Sequence, residues 1–448
     1  MSEWLDRFQQ SHPSVSWRTH DPKFGLVFVR GEGSRLWDTG GQDFIDLTCG
    51  YSASSFGQAF PPLVAAATRQ LCQLTHVTGD PHVGRIALAE QLLHMFAGAE
   101  HPSKVLFNVT GARAVETAWK AAVAFRPGKI VTLGPCFHGR SIAASALGQS
   151  PAAQLPHRHL TAEVQVMPPD EYPYCAACPW SLEYPHCNLK CVQDLLHRIG
   201  ENADELSAVI VEPAIGARGY IFPPAEFFRQ LREVTESQGV LMIADEIQTG
   251  LGRCGHLSLA AGQGWRPDLL ILGKSLAGGI APISAVLGRT DVLESLPTGS
   301  ESETFAASPL ATAVALEVLS QLRDGPWIER GRQLGSALRE FARSEVSRLR
   351  WTNCSVEGEG ACCVLEFCRA GAGTQAASAA NRCAQFVREC VHHRVLPHLS
   401  GPNGNRCVWL PALTMSSAEQ AATFSRLRAA FAAVGTIHAT DKVAENPY

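Results

Sequence analysis

Three short apolar runs in the middle of the chain each stop at a residue that can do chemistry. The run at 208–211 is closed by Glu212-Pro213, the run at 240–244 by Asp245-Glu246-Ile247-Gln248, and the run at 269–272 by Gly273-Lys274. Continuous apolar stretches of this length, ended by Gly, Pro or a charge, read as buried strands of a parallel sheet. Ligands of such sheets bind beyond the carboxyl ends of the strands. The pattern therefore predicts that Glu212, Asp245 and Lys274 converge on one pocket.

The flanking pattern extends this α/β reading. Residues 1 to about 30 read as an arm, and 31–47 as a hairpin turning at Thr39-Gly40-Gly41. Helical spacing follows at 61–74 and 85–96. A strand at 104–108 runs into Thr110-Gly111-Ala112 and then a helix whose Val115, Ala118, Trp119, Ala122 and Val123 share one face. A strand, glycine turn and helix in that order aim backbone N–H groups at a phosphate, although an ordinary α/β turn uses the same glycine. The strand at 129–133 leads to Phe137-His138-Gly139-Arg140. Phe137 there either lies against a flat ring or packs as an ordinary core aromatic. Beyond the central runs come Thr304, a helix over 309–322, a break at Asp324-Gly325-Pro326 and a long helix over 327–349. Shorter strands and helices to about 435 suggest a smaller α/β domain.

Composition narrows the function classes. The 448 residues are 46% hydrophobic and 18% charged, with a net charge of −4, so nothing favours nucleic acid or an anionic membrane as a partner. No basic segment followed by an apolar one opens the chain, and no apolar run reaches the ~18 residues of a membrane span. Fifteen cysteines without an export signal point to reduced thiols in the cytoplasm. Cys175, Cys178, Cys187 and Cys191 have the CxxC and CxxxC spacing of a four-thiolate zinc site, or are thiols packed in an irregular loop.

A lysine at a buried strand end loses solvation, and its pKa falls. The neutral amine can form a Schiff base with an aldehyde. A nearby aspartate suits the protonated ring nitrogen of pyridoxal 5′-phosphate (PLP), a cofactor that uses a lysine Schiff base and an acidic partner. The plainer alternative places both charges at solvated loop tips.

Taken together, Glu212-Pro213, Asp245-Glu246-Ile247-Gln248-Thr249-Gly250, Gly252-Arg253 and Lys274-Ser-Leu-Ala-Gly-Gly279 resemble the class III aminotransferases, PLP enzymes of fold type I, over about residues 31–413. The resemblance implies a three-layer, aspartate-aminotransferase-like large domain at 56–315 with a mainly parallel sheet. It implies a smaller α/β C-terminal domain at 316–448, joined by the arm and hairpin of 1–55. Lys274 would carry the cofactor and shuttle the proton between substrate and cofactor carbons. Asp245 would pair with the ring nitrogen, Gln248 with the ring hydroxyl, and Gly111 and Ala112 with the phosphate. Phe137 would stack on the ring beside His138, and Glu212 would order the pocket on the Asp245 side. Thr304 would reach the phosphate of a neighbouring subunit, making a homodimer with shared sites. An amino donor and an acceptor would be the small-molecule partners, in a specialised pathway.

Departures from the family bear on phosphate and substrate. The usual Ser-Gly-Ser/Thr-Glu-Ala is Thr110-Gly111-Ala112-Arg113-Ala114 here, which removes a hydroxyl; Arg113 either compensates by charge or is solvated. An arginine common just before the Leu-x-Pro-Pro-Leu of the last strand is Val408 here, and a glutamate that often shields it is Ala217. Arg406 and Arg218 are the substitute carboxylate readers expected from their neighbouring positions. Loss of the usual pair implies an amino donor or acceptor other than the 2-oxoglutarate pair, or a racemase or epimerase on the same scaffold. A non-catalytic relative is the third reading, and the joint presence of Lys274, Asp245 and Gln248 argues against it.

Overall fold

The computed structural model describes residues 3–16, 25–97, 102–134, 136–148, 164–167, 184–367, 374–401 and 403–435. Cys175 and Cys178 lie outside them, so the four-thiolate cluster is not described; Cys187 is a half-buried free thiol. The chain forms two compact units, Met1–Phe60 with Glu329–Tyr448, and Pro61–Ile328.

In the first unit the strands β1 (Phe28–Glu32), β2 (Arg35–Asp38) and β3 (Asp43–Asp46) form an antiparallel meander. The region read as an arm also holds a helix, Glu3–Ser11, with Leu5 buried.

The second unit is built on a seven-stranded sheet. Its strands are β4 (Ser103–Asn108), β5 (Lys129–Leu133), β6 (Val164–Met167), β7 (Leu206–Val211), β8 (Leu241–Asp245), β9 (Leu269–Leu272) and β10 (Ser284–Arg289). They lie in the order β4-β10-β9-β8-β7-β5-β6. Pairings β9-β8, β8-β7, β7-β5 and β5-β6 are parallel, and β10 is antiparallel to both β9 and β4. One inserted antiparallel strand thus leaves β4, β5, β6, β7, β8 and β9 with their carboxyl ends on the same edge. Every residue of β7, β8 and β9 is buried, as the continuous apolar runs require. The helix Gly111–Phe125 packs Ala114, Val115, Ala118, Ala121 and Ala122 into the same core as Ile210, Ile243, Leu269 and Ile271.

The remaining strands belong to the first unit: β11 (Cys354–Glu357), β12 (Cys363–Phe367), β13 (Val395–Leu396), β14 (His398–Ser400) and β15 (Arg406–Trp409). Strand β13 joins β3 in parallel, completing the first sheet, while β11-β12-β15-β14 form an antiparallel one. Trp351, Phe367, Phe386, Trp409 and Phe431 pack together in its core. The closing helix Ser417–Val434 starts with a reciprocal cap between Ser416 and Glu419. Among the described residues, no helix is long and apolar enough to cross a membrane.

Candidate active site

The candidate groups lie at, or just beyond, the carboxyl ends of these aligned strands. Strand β8 ends on Asp245, whose Oδ1 accepts the Ile247 N–H at 3.0 Å and whose Oδ2 lies 2.7 Å from His138 Nδ1. His138 follows β5 and is buried with Asp245. Burial alone would lower the imidazole's pKa, but Cys136 and the Asp245 carboxylate outweigh it and hold His138 well above its ordinary value. Asp245 therefore faces a cation on one side and keeps acceptor capacity for another donor.

Glu212, the residue after β7, is almost fully buried, and its two oxygens accept backbone N–H groups from Phe137 at 2.9 Å and Gly216 at 3.0 Å. Burial raises its pKa to about 7 against those bonds. Glu212 thus ties the turn after β5 to the turn after β7. Gly216 is needed there, because a Cβ would come within 2.6 Å of Gln248 Cδ.

Gln248 Oε1 accepts from Lys274 Nζ at 2.7 Å, and Gln248 Nε2 is buried without a partner among the described residues. Lys274 sits just past β9 with φ +41°, a conformation that a side chain-bearing residue adopts at a cost of ~1–3 kcal/mol and that marks functional sites. Desolvation lowers its pKa to about 8, although the Asp245 and Glu212 carboxylates pull the other way. The solvated-loop-tip alternative for Asp245 and Lys274 does not describe this arrangement.

The helix Gly111–Phe125 is capped by Thr110, whose hydroxyl accepts the Arg113 N–H, and Ser284 donates to the Thr110 carbonyl at 2.8 Å. A Cβ on Gly111 would come within 2.8 Å of Ile247 Cδ1, so the glycine lets the turn after β8 close on the helix start. Phe137 is half-buried, with the Arg140 guanidinium 5.9 Å from its ring centre.

Thr304, Arg218 and Arg406 were the other residues expected to contribute. Thr304 is exposed, and Arg218 is half-buried in the turn between β7 and the helix Ala225–Ser237. Arg406 belongs to the other unit, fully buried, where it pairs with Glu366 Oε2 at 3.5 Å and with Glu357. A substrate carboxylate at Arg406 would have to reach a fully buried guanidinium that already faces two protein carboxylates. Arg113 is neither solvated nor free; it is held by Glu301 at 3.0 Å and Glu303 at 3.1 Å.

Sequence reasoning passed over Glu301 and Glu303, whose nearness to Thr304 was the only signal. It also passed over a role for Glu246, which accepts Ser258 Oγ and the N–H groups of Leu259 and Ala260. That carboxylate pins the loop following the Asp245–Gly250 turn.

The donor set fits PLP. It offers a desolvated amine, a carboxylate with spare acceptor capacity, an orphaned amide nitrogen on Gln248, and a capped 15-residue helix whose N-terminal N–H groups suit a phosphate.

Comparison with known proteins agrees with the fit. The profile of the Aminotransferase class-III family matches residues 16–431. Acetylornithine aminotransferase of Streptomyces clavuligerus is 32% identical over 338 residues, 75% of this chain and 77% of that protein. Leucine/methionine racemase of Thermococcus litoralis is 29% identical over 75% of this chain and 74% of its own. Among solved structures, an amine transaminase from an uncultivated Pseudomonas species in its PLP-bound form superposes with TM-score 0.84 at 29% identity, covering 95% of this chain and 98% of that one. Ornithine aminotransferase of Toxoplasma gondii gives 0.81 at 27% identity, covering 96% and 94%.

Proposed function

This chain belongs to the class III aminotransferases and is a PLP-dependent transaminase, and from that premise we propose how its residues divide the work and what they act on. Bound PLP supplies an aldehyde that exchanges an amino group and a ring that withdraws electrons from the substrate Cα. Lys274 Nζ holds the cofactor and moves the Cα proton, because it is the amine kept near neutrality by desolvation. Asp245 keeps a proton on the ring nitrogen, with His138 fixing the carboxylate from its other oxygen. Gln248 Nε2 donates to the ring hydroxyl, and Phe137 stacks on the ring. The Gly111 and Ala112 N–H groups take the phosphate. Glu212 orders the two turns that carry Phe137 and Gln248.

The observation that carries this reading is Lys274 itself, strained, desolvated and 2.7 Å from Gln248 Oε1. Cofactor capture by the PLP-free chain should rise about tenfold per pH unit up to about 8 and then level, because burial depresses the amine to about 8 from the ~10.4 of a free lysine. Stopped-flow absorbance across that range measures it. A profile still climbing near pH 10 would put the amine in solvent.

The donor is an amino acid or amine, and the acceptor a keto acid or aldehyde other than 2-oxoglutarate. Supporting this, Val408 carries no charge and the Arg406 guanidinium is already matched by Glu357 and Glu366. With amino donor alone, the holoenzyme should convert to its pyridoxamine form at about one per chain, releasing keto product. The likeness to a leucine/methionine racemase supports a second reading. An enzyme of that kind would instead exchange the Cα proton in deuterated water without accumulating the pyridoxamine form.

The working unit is a homodimer in which Thr304 serves the other subunit's phosphate. Thr304 is exposed and Phe305 is 61% exposed. Val83 and Leu74 are exposed close to the His82 and His76 contacts with this segment. A reducing, cytoplasmic setting suits Cys383 and Cys390, whose burial raises their pKa and keeps them thiols.

A further inference from the structure

The segment 299–308 ends in a tip that is held from both sides. On one side, Arg113 Nη2 bonds Glu301 Oε2 at 3.0 Å and its Nε pairs with Glu303 Oε1 at 3.1 Å. Glu301, only 6% exposed, also accepts the Thr117 hydroxyl at 2.6 Å and pairs with Lys120. Glu303 accepts Asn108 Nδ2 at 2.7 Å and the Val109 N–H at 3.1 Å. On the other side, His82 Nε2 bonds the Ala307 carbonyl at 2.9 Å. Ala307 has φ +52°, a strained conformation for alanine that persists only where the surroundings dictate it. Ala306 and Ala307 are buried, while Thr304 and Phe305 between the two anchors are exposed.

Charge makes Arg113 the keystone. Glu301 and Glu303 converge on the start of the Gly111–Phe125 helix, and without a guanidinium between them two largely buried carboxylates would repel. With that guanidinium matched twice, Arg113 has little left to offer the phosphate expected at its own helix.

We propose that Arg113, Glu301 and Glu303 form a clamp that presents Thr304 to a second copy of this chain, so that Arg113 acts on its partner's cofactor and not on its own. Arg113 is thus a positioning residue working in trans. The proposal rests on the homodimer reading of Thr304, and the test separates the two.

The experiment uses heterodimers purified through different tags, in which one chain carries Lys274→Ala. Only the other chain can then hold PLP through a lysine, read as lysine-bound absorbance and as the PLP dissociation constant. The Arg113→Met and Glu303→Gln homodimers should each bind PLP about tenfold or more weakly, the size of one lost hydrogen bond to a charged group. Arg113→Lys should recover part of the loss.

Pairing Arg113→Met, or Glu303→Gln, with the Lys274→Ala chain should restore normal affinity at the remaining site, because that site receives Thr304 from a chain with an intact clamp. Weak binding there would mean that Arg113 acts on its own phosphate, and unchanged homodimers would mean that the clamp does nothing; either result overturns the proposal. A parallel heterodimer of Thr304→Val with Lys274→Ala tests the underlying reading. Normal affinity supports service in trans. Weak affinity refutes that service, and the clamp proposal falls with its premise.

Discussion

Lys274→Ala is expected to lower turnover by ~10⁴-fold, the upper range for removing a positioned general base, with a further loss because the residue also holds the cofactor. Of the other described lysines, Lys104, Lys120 and Lys129 are paired with Glu294, Glu301 and Glu205, and Lys190 is exposed at the start of the helix Lys190–Glu201. The cofactor should nonetheless stay, since the Gly111–Phe125 helix start and Asp245 are untouched. Single-turnover rates and the PLP content of the purified variant check both halves. A variant within tenfold of the parent would remove the residue from the mechanism.

Asp245→Asn should cost on the order of 10³-fold in turnover, at the upper end of what one fixed electrostatic partner contributes. The amide cannot hold a proton on the ring nitrogen through charge. It also leaves the His138 imidazole, held well above its ordinary pKa, without its carboxylate. Lys274 keeps its bond to Gln248, so cofactor capture should survive while the donor half-reaction stalls. The signature is a lysine-bound absorbance band that amino donor no longer bleaches. Bleaching at close to the parent rate would contradict the role.

The strand ends were readable because β7, β8 and β9 are buried along their whole length, so each appears as an unbroken apolar run ending where the chain meets the site. Lys129–Leu133 was legible as a further short apolar run, and the Gly111–Phe125 helix from the shared face of Val115, Ala118, Trp119, Ala122 and Val123, although its start at Gly111 came only with the structure. Strand β10 was not. Its residues look like those of its neighbours, and its opposed direction comes from pairing with β4 and β9.

The partners of Arg406 and Arg113 were not legible in the sequence, for one reason. Arg406 does lie on the strand with Val408, but its partners come from the neighbouring strand β12 and from β11 beyond it. Glu366 is its direct cross-strand neighbour on β12, and Glu357 lies on β11. Arg113 meets Glu301 and Glu303 from nearly 190 positions away in sequence. Alternation and spacing carry no information about such encounters. The helix Pro309–Asp324 lies within the Pro61–Ile328 unit.

The central claim is that one desolvated amine, opposite a carboxylate, holds the cofactor. Borohydride reduction of the holoenzyme, digestion and peptide mass mapping test it most directly. The account predicts a single phosphopyridoxyl group per chain, on Lys274. A group on any other lysine, or none, would contradict it.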